Sequence, residues 1–288
     1  MSVALRTENL TFTYGTGTPF EKTAVKNVNI EINKGEVIGV IGHTGSGKST
    51  LMQMLCALIA PTSGKVYLDG EDIFKDKKNL RNIRFKVGLV FQYPENQLFE
   101  ETVAKDIAFG PRNMGLPEEA IKERVKKAAE FTGLKPELLN RSPFDLSGGE
   151  KRRAAIAGVI AMDPEILILD EPTAGLDPMG KEVLLSQIHA YHKARGNTVL
   201  LVSHNMEDIA KIADRVLVMN KSECIMLKPT REVFSEGERL EEMGLKLPQI
   251  TKITQELRKA GIDLSPDILT VGQAFDEIAH LIKKEGKV

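Results

Sequence analysis

Gly42-His43-Thr44-Gly45-Ser46-Gly47-Lys48-Ser49 fills the pattern GxxxxGK[ST] at every position. It follows an apolar run with strand character, Val37–Ile41, and opens a stretch with helix character, Ser49–Ile59. A phosphate-binding loop needs that context. The glycines let backbone N–H groups turn inward around phosphate oxygens, and the helix N-terminus adds a positive field. Lys48 supplies a point charge for the β- and γ-phosphates of a nucleotide, and Ser49 a hydroxyl ligand for Mg²⁺. The adjoining Thr50 is read with the loop as a nucleotide contact.

Two more stretches extend this chemistry. Ile166-Leu167-Ile168-Leu169-Asp170-Glu171 is an apolar strand ending in two carboxylates. At the C-terminal end of a parallel strand, side chains reach the ligand crevice. Asp170 is suited to holding Mg²⁺, directly or through water. Glu171 is suited to acting on the water in line with the γ-phosphate, as a base or an orienting group. In Leu146-Ser147-Gly148-Gly149-Glu150, Ser147 and Glu150 form an S-x-x-E capping box ahead of the helix expected over Gly149–Met162. Gly148 and Gly149 leave backbone N–H groups bare there, which makes a second anion site on a second helix N-terminus.

The rest of the chain bounds what this chemistry serves. With 288 residues it has room for a large core and an appendage. Lys+Arg (39) and Asp+Glu (40) nearly cancel, which speaks against a nucleic-acid partner, whose mark is a basic excess or stripe. The two cysteines, Cys56 and Cys224, lie in no CxxC or Cys/His cluster, so a reducing cytoplasm fits and no disulfide or zinc framework is expected. The start, MSVALRTENL, lacks a basic stretch followed by an apolar run, so no signal peptide is expected. No apolar run approaches the roughly 18–20 residues that cross a bilayer. Service to a membrane would therefore run through a partner.

Short apolar runs at Val37–Ile41, Val87–Phe91, Ile166–Leu169, Thr198–Val202 and Val216–Met219 read as strands buried on both faces. Helical stretches at Ser49–Ile59, Glu118–Thr132, Gly149–Met162, Lys181–Arg195 and Met206–Ala213 alternate with them. The fold class is α/β, with a mixed sheet core. Val3–Ile32 alternates differently, around a turn at Gly15–Pro19, and predicts an antiparallel β layer beside the core. Residues 94–162 read as a helical subdomain. After Met219 the strand-like runs fade, so residues 1–221 are expected to form the main unit and 222–288 a small C-terminal domain.

The phosphate loop, the LSGGE segment and the Asp-Glu strand follow one another in the order of the ATP-binding cassette (ABC) family, which this chain resembles over nearly its whole length. Glu150 stands where the commoner signature has Gln, and the capping box accepts either. The resemblance implies a P-loop cassette that binds and hydrolyses MgATP as a dimer, each ATP held by the P-loop of one subunit and the signature of the other. It implies roles for further residues. Gln92 matches the glutamine that contacts Mg²⁺ or the attacking water. Asp177 lies in the interface-crossing loop Ala174-Gly175-Leu176-Asp177, and His204 matches the switch histidine on the γ-phosphate. Tyr14 sits where the family places an aromatic against adenine, with Phe12 as the competing candidate on the same strand face.

Gln92-Tyr93-Pro94-Glu95-Asn96-Gln97-Leu98-Phe99, Gly42-His43-Thr44 and the tail around Leu247-Pro248 and Leu269–Val271 resemble the energy-coupling-factor (ECF) transporter ATPases, the second of their paired subunits in particular. That likeness implies a peripheral protein on the cytoplasmic face of the membrane, powering uptake of vitamins or transition-metal ions. Its partners would be a second cassette ATPase, the same or related, a transmembrane coupling subunit and a substrate-binding membrane subunit. Pro94, Asn96, Gln97 and Phe99 would receive the coupling subunit, and the tail would serve dimerisation. The alternatives are the ATPase of another ABC importer or exporter and a non-transport ABC ATPase. A P-loop kinase or GTPase leaves LSGGE and His204 without a role.

Overall fold

The computed structural model describes residues 2–284. The first strand, β1 (Val3–Tyr14), is followed by β2 (Lys22–Val28), β3 (Glu31–Asn33), β4 (Val37–Ile41) and the helix α1 (Lys48–Leu55). Then come β5 (Ser63–Leu68), β6 (Glu71–Asp72), α2 (Leu80–Lys86) and β7 (Val87–Val90). Three helices, α3 (Val103–Asn113), α4 (Glu118–Phe131) and α5 (Gly148–Ile160), separate β7 from β8 (Ile166–Asp170). The chain continues through α6 (Pro178–Arg195), β9 (Thr198–Val202), α7 (Met206–Ile212), β10 (Arg215–Asn220) and β11 (Glu223–Pro229). It closes with α8 (Thr230–Ser235), α9 (Gly237–Glu242), α10 (Gln249–Lys259) and α11 (Val271–Lys284).

The strands read from apolar runs form one sheet, in the order β11-β10-β4-β9-β8-β7. Every neighbouring pair is parallel except β10–β11. Although the runs are continuously apolar, their side chains alternate between two cores. Val37, Ile41, Leu167, Leu169, Val199 and Leu201 join the core under the helices. Ile38, Val40, Ile166, Ile168, Leu200 and Val202 join the core shared with α1 and the antiparallel layer. That layer has the order β2-β1-β5-β6, with β3 also on β1, so it recruits strands after α1 as well as the expected Val3–Ile32 stretch. The helical subdomain is built on α3, α4 and α5, packed through Val103, Ile107, Ile121, Val125, Ala128, Ala154 and Ala157.

Three expectations are corrected. The helix after the phosphate loop stops at Leu55, short of Ile59, because Ala57 takes a left-handed conformation (φ 57°) just past the cap. The strand leading to Gln92 ends at Val90, one residue before Phe91. The sheet does not fade after Met219: β11 pairs antiparallel with β10, and position 221/222 falls in the hairpin turn itself. Lys221 and Ser222 are both left-handed (φ 45° and 72°), the conformation of a two-residue primed turn. The usual Asn-Gly or Asp-Gly mark is missing there, Lys221-Ser222 standing in its place, so the sequence carries no hairpin signal at this turn. Val233, Phe234, Leu240, Leu245 and Leu247 then pack into the main core. Only α10 and α11 share a core of their own, around Leu264, Ile268 and Ala274. Residues 285–288 of the expected C-terminal domain lie outside the described residues.

Candidate nucleotide-binding site

The parallel strands deliver their C-terminal ends to one edge of the sheet, where open α/β sheets bind ligands. A cavity of about 340 Å³ opens there. Lys48, Ser49 and Thr50 line it from the start of α1, Asp170 and Glu171 from the end of β8, His204 from beyond β9, Gln92 from beyond β7 and Tyr14 from β1. Thr44, Gly45 and Gly47 complete the loop wall.

Two glycines make the loop's path possible. Gly47 has φ 102°, and a Cβ on it would meet the Ala24 carbonyl oxygen at 2.1 Å. A Cβ on Gly42 would meet the Met219 carbonyl oxygen at 2.3 Å. The loop thus threads between β2 and β10 with no space for a side chain at either point. Lys48 is buried and donates from Nζ to the carbonyls of Gly42 (2.7 Å) and His43 (3.1 Å). Burial pushes its ammonium below the ordinary lysine range, and the charges of Glu171 and Asp170 push the other way. Among the loop residues read as nucleotide contacts, Gly42, His43 and Ser46 do not line the cavity. His43 turns away, its Nδ1 within 2.8 Å of the Thr44 carbonyl and its Nε2 within 3.1 Å of Asn220 Oδ1. Ser46 is fully buried, and its Oγ has no partner.

The two carboxylates differ by environment. Asp170 is the last residue of β8 and is buried. Glu171 has left the strand, in a left-handed conformation (φ 52°), with its N–H donating to Val202 O at 3.0 Å. That turn carries its carboxylate to the His204 N–H, which donates to Oε2 at 3.4 Å. Burial pushes the Glu171 carboxyl up to about 7, and nearby Asp170 and Asp208 push the same way. Burial and the Lys48 charge push His204 down, so its imidazole is neutral at neutral pH and the pair is no salt bridge there. His204 Nε2 lies 3.3 Å from Glu171 Oε1, but misaligned as a hydrogen bond, and Oε1 is buried without a partner. A buried carboxylate oxygen with a spare acceptor site, poised near neutrality, is what a group accepting a water proton requires.

Between the two aromatic candidates, Tyr14 lines the cavity and is exposed, with its hydroxyl 3.1 Å from Thr50 Oγ1. Phe12 packs into the core under the antiparallel layer and meets the Tyr14 ring edge-on, centroids 4.7 Å apart. Lys22, which also lines the cavity, and Asp208, which accepts from Thr173 Oγ1 at 3.3 Å, carry no motif signal.

The signature segment lies elsewhere. Ser147 caps α5 with the expected box: its N–H and Oγ donate to Glu150 Oε2 at 2.9 and 2.6 Å, and its Oγ accepts from the Glu150 N–H at 3.4 Å. Gly148 has no atom near the place of a Cβ, so the helix start is bare. Ser147 and Gly149 line a second cleft with Gly175, Leu176 and Asp177. Asp177 caps α6, accepting from Gly180 N at 2.6 Å. The two clefts share no lining residue.

Residues 25–174 match the family described as ABC transporter. The energy-coupling factor transporter ATP-binding protein EcfA2 of Caldanaerobacter subterraneus subsp. tengcongensis is 54% identical over 279 residues, covering 97% of this chain and 98% of that protein. This chain belongs to the ABC transporter ATPase family. EcfA2 of Clostridium perfringens is 55% identical to this ABC ATPase over 282 residues, 98% of this chain and 99% of its relative. Among solved structures, cbiO1 from Clostridium perfringens, part of the ABC transporter complex cbiONQ, matches with a TM-score of 0.75. It is 38% identical, over 88% of this chain and 100% of its own. A dimeric ATP-binding cassette in a post-hydrolysis state, bound to ADP and Pi, matches with a TM-score of 0.71 and 29% identity, over 79% and 99%. The cassette fold expected from the sequence is the fold found, and the chain is an ATP-hydrolysing transport enzyme.

Proposed function

We propose that this chain is an ATP-hydrolysing subunit of an energy-coupling factor transporter, and that it works as one half of a dimer whose two ATP sites are shared. The relatives named EcfA2, at about half identity over nearly full length, support the first part. The observation that carries the second is the separation of the two anion sites: the phosphate cavity and the signature cleft have no residue in common. ATP carries several negative charges, and Lys48 with one helix N-terminus neutralises only part of them. The bare start of α5, with Ser147, Gly148, Gly149 and Glu150, supplies the complement from a second subunit, with Asp177 at the junction.

Within one half-site, Lys48 and the loop N–H groups of Thr44–Thr50 hold the phosphates, and Tyr14 stacks on the base. Glu171 accepts the proton of the attacking water, while Gln92 and His204 orient water and γ-phosphate. ABC ATPases use Mg²⁺ with ATP. Among the described residues no cluster of three acidic, His or Cys side chains forms an ion cage. One carboxylate, Asp170, with the Ser49 hydroxyl and the Gln92 amide on the same cavity, fits an ion that keeps waters and substrate phosphates as its other ligands. Bound there, the ion neutralises charge on the phosphoryl oxygens.

Work is passed on at the helical subdomain. Pro94–Gln97 forms a single 3₁₀ turn with Pro94 buried and Asn96 and Gln97 exposed. Phe99 is 57% exposed and stacks edge-on with the half-exposed Phe109, centroids 5.0 Å apart. An apolar pair rimmed by amides suits a groove for a partner helix, here the coupling helix of a transmembrane subunit. Among the described residues no helix is long and apolar enough to cross a membrane. In the energy-coupling factor reading, the solute path and its substrate-binding component, for a vitamin or a transition-metal ion, are membrane subunits, and this chain docks on their cytoplasmic face. The C-terminal helices add to dimerisation: α11 exposes Val271, Phe275 and Ile282 along one side. Near-neutral charge speaks against a nucleic-acid partner.

The experiment is a pair of assays on Phe99→Glu, with Gln97→Arg as its companion. MgATP binding and ATPase of the isolated chain are expected to stay within about threefold of wild type, because neither residue lines the phosphate cavity. Solute uptake by the reconstituted complex, or assembly of that complex, is expected to be lost. Parallel loss of binding and uptake would make the segment a folding element, and retained uptake would place the partner elsewhere.

A further inference from the structure

Arg152 lies on the signature helix, yet none of the roles above uses it. It is only 4% exposed, so its charge is out of water and needs partners. It finds them on two other segments of the site. Its Nε and Nη2 donate to the two carboxylate oxygens of Glu95 at 3.0 and 2.6 Å, a fork-on-fork pair between α5 and the 3₁₀ turn that follows Gln92. Its Nη1 donates to the carbonyl of Pro172 at 3.2 Å and to that of Ala174, on the segment that leads from Glu171 to Asp177. The guanidinium also stands 5.9 Å from the centroid of the Tyr93 ring, next to Gln92. Burial acts to raise the Glu95 carboxyl; the Arg152 bonds and charge outweigh it, and the net shift is downward. The carboxylate is therefore charged throughout the neutral range. Asp106, on α3, extends the brace by accepting the N–H groups of Phe99 at 3.3 Å and Glu100 at 3.1 Å.

We propose that Arg152 is a positioning residue for hydrolysis: it clamps the Gln92–Gln97 segment, the signature helix and the 172–174 segment into one body. A displacement of Gln92 at the phosphate site then reaches the signature helix and the exposed Asn96–Phe99 surface together, instead of being absorbed by the loop between them. The planar fork matters because one side chain must satisfy a carboxylate and two carbonyls in fixed directions, which a lysine ammonium does not do. Neither Glu95 nor Arg152 lines the phosphate cavity; Arg152 runs along the signature cleft, with its guanidinium nitrogens spent on Glu95 and on the carbonyls of Pro172 and Ala174. Their loss acts through geometry, and at the site that the signature completes.

This rests on the shared-site ATPase reading, and the test separates the two. In the full chain, Glu95→Gln keeps the shape but leaves Arg152 without its counter-charge, and Glu95→Asp keeps the charge at shorter reach. MgATP affinity, kcat, KM and melting temperature are measured for both, with Glu171→Gln alongside. Glu95→Gln is expected to lower kcat at least tenfold while Kd and KM for MgATP stay within about threefold, and Glu95→Asp to recover most of the lost kcat. A folded Glu95→Gln variant with kcat within twofold of wild type overturns the proposal. So does a kcat loss that runs parallel to a loss of MgATP affinity, since that is what a merely structural pair would give. If Glu95→Gln does not fold, Arg152→Lys decides by the same criteria, since it keeps the charge and removes the planar fork: a kcat lowered at least tenfold at unchanged Kd supports the clamp, and a kcat within twofold of wild type overturns it. Normal turnover in Glu171→Gln would instead sink the reading of the site.

Discussion

Glu171→Gln is expected to bind MgATP as tightly as wild type and to hydrolyse it roughly a hundred- to ten-thousand-fold more slowly, the range by which a positioned general base accelerates a reaction. The substitution keeps size and one acceptor oxygen but removes, from the described residues that line the cavity, the carboxyl group that is pushed up to about 7 and has a buried oxygen without a partner. Steady-state ATPase at saturating MgATP measures it, and turnover near wild type would assign the chemistry to another group. The same carboxyl predicts a stability effect of opposite sense. Its folded value, about 7, lies above its ordinary value of 4.5, so the folded chain holds this proton more tightly than the unfolded one. Its contribution to stability is therefore fully present below about 4.5 and is lost as pH rises through about 7. Glutamine has no such loss. Glu171→Gln should melt higher than wild type at pH 8, with the difference shrinking toward pH 5. In wild type, kcat/KM should decline below about pH 7 as Glu171 takes up its proton.

Lys48→Ala is expected to act one step earlier, on binding. Lys48 Nζ is held over the mouth of the loop by the carbonyls of Gly42 and His43, and Glu171 and Asp170 both act on its charge. Removing it takes a cation from the phosphates and leaves those two carboxyl groups facing them uncompensated. At about 1.5–3 kcal/mol for a charge-assisted hydrogen bond, the loss is roughly a ten- to hundred-fold rise in Kd from one contact, and more from two. Titration with a fluorescent ATP analogue reads it directly. An unchanged Kd would mean that the loop N–H groups alone set affinity.

How much of this was legible before the fold was known depends on how far apart the interacting residues lie. The phosphate loop, the Asp170-Glu171 strand end and the Ser147–Glu150 capping box were readable because each pattern is complete within one short stretch, and the structure brings the first two to one cavity and sets the third in its own cleft. The parallel strands were readable because burial on both faces leaves continuous apolar runs. Arg152 and Glu95, 57 positions apart, were not, since charged residues on a helix and in a loop look like solvated surface until the fold pairs them. Nor was the β10–β11 hairpin, whose left-handed Lys221-Ser222 turn has neither Gly nor Asn at its centre. The phosphate-loop motif also says nothing of the His43 ring, which lies within hydrogen-bond distance of Asn220, 177 positions away, while the loop reading concerns its backbone N–H.

The shared-site claim is tested most directly by the mass of the Glu171→Gln chain with and without MgATP, measured by light scattering beside the same chain carrying Ser147→Arg. Ser147 is exposed at the start of α5 and outside the phosphate cavity, so Ser147→Arg should leave MgATP binding by the monomer within about threefold. The account requires that Glu171→Gln double its mass on adding MgATP and that Ser147→Arg abolish the doubling while binding persists. Loss of MgATP binding together with the doubling would place the signature in the same half-site as the P-loop, and a doubling that survives Ser147→Arg would remove the signature from the shared site; either result contradicts it.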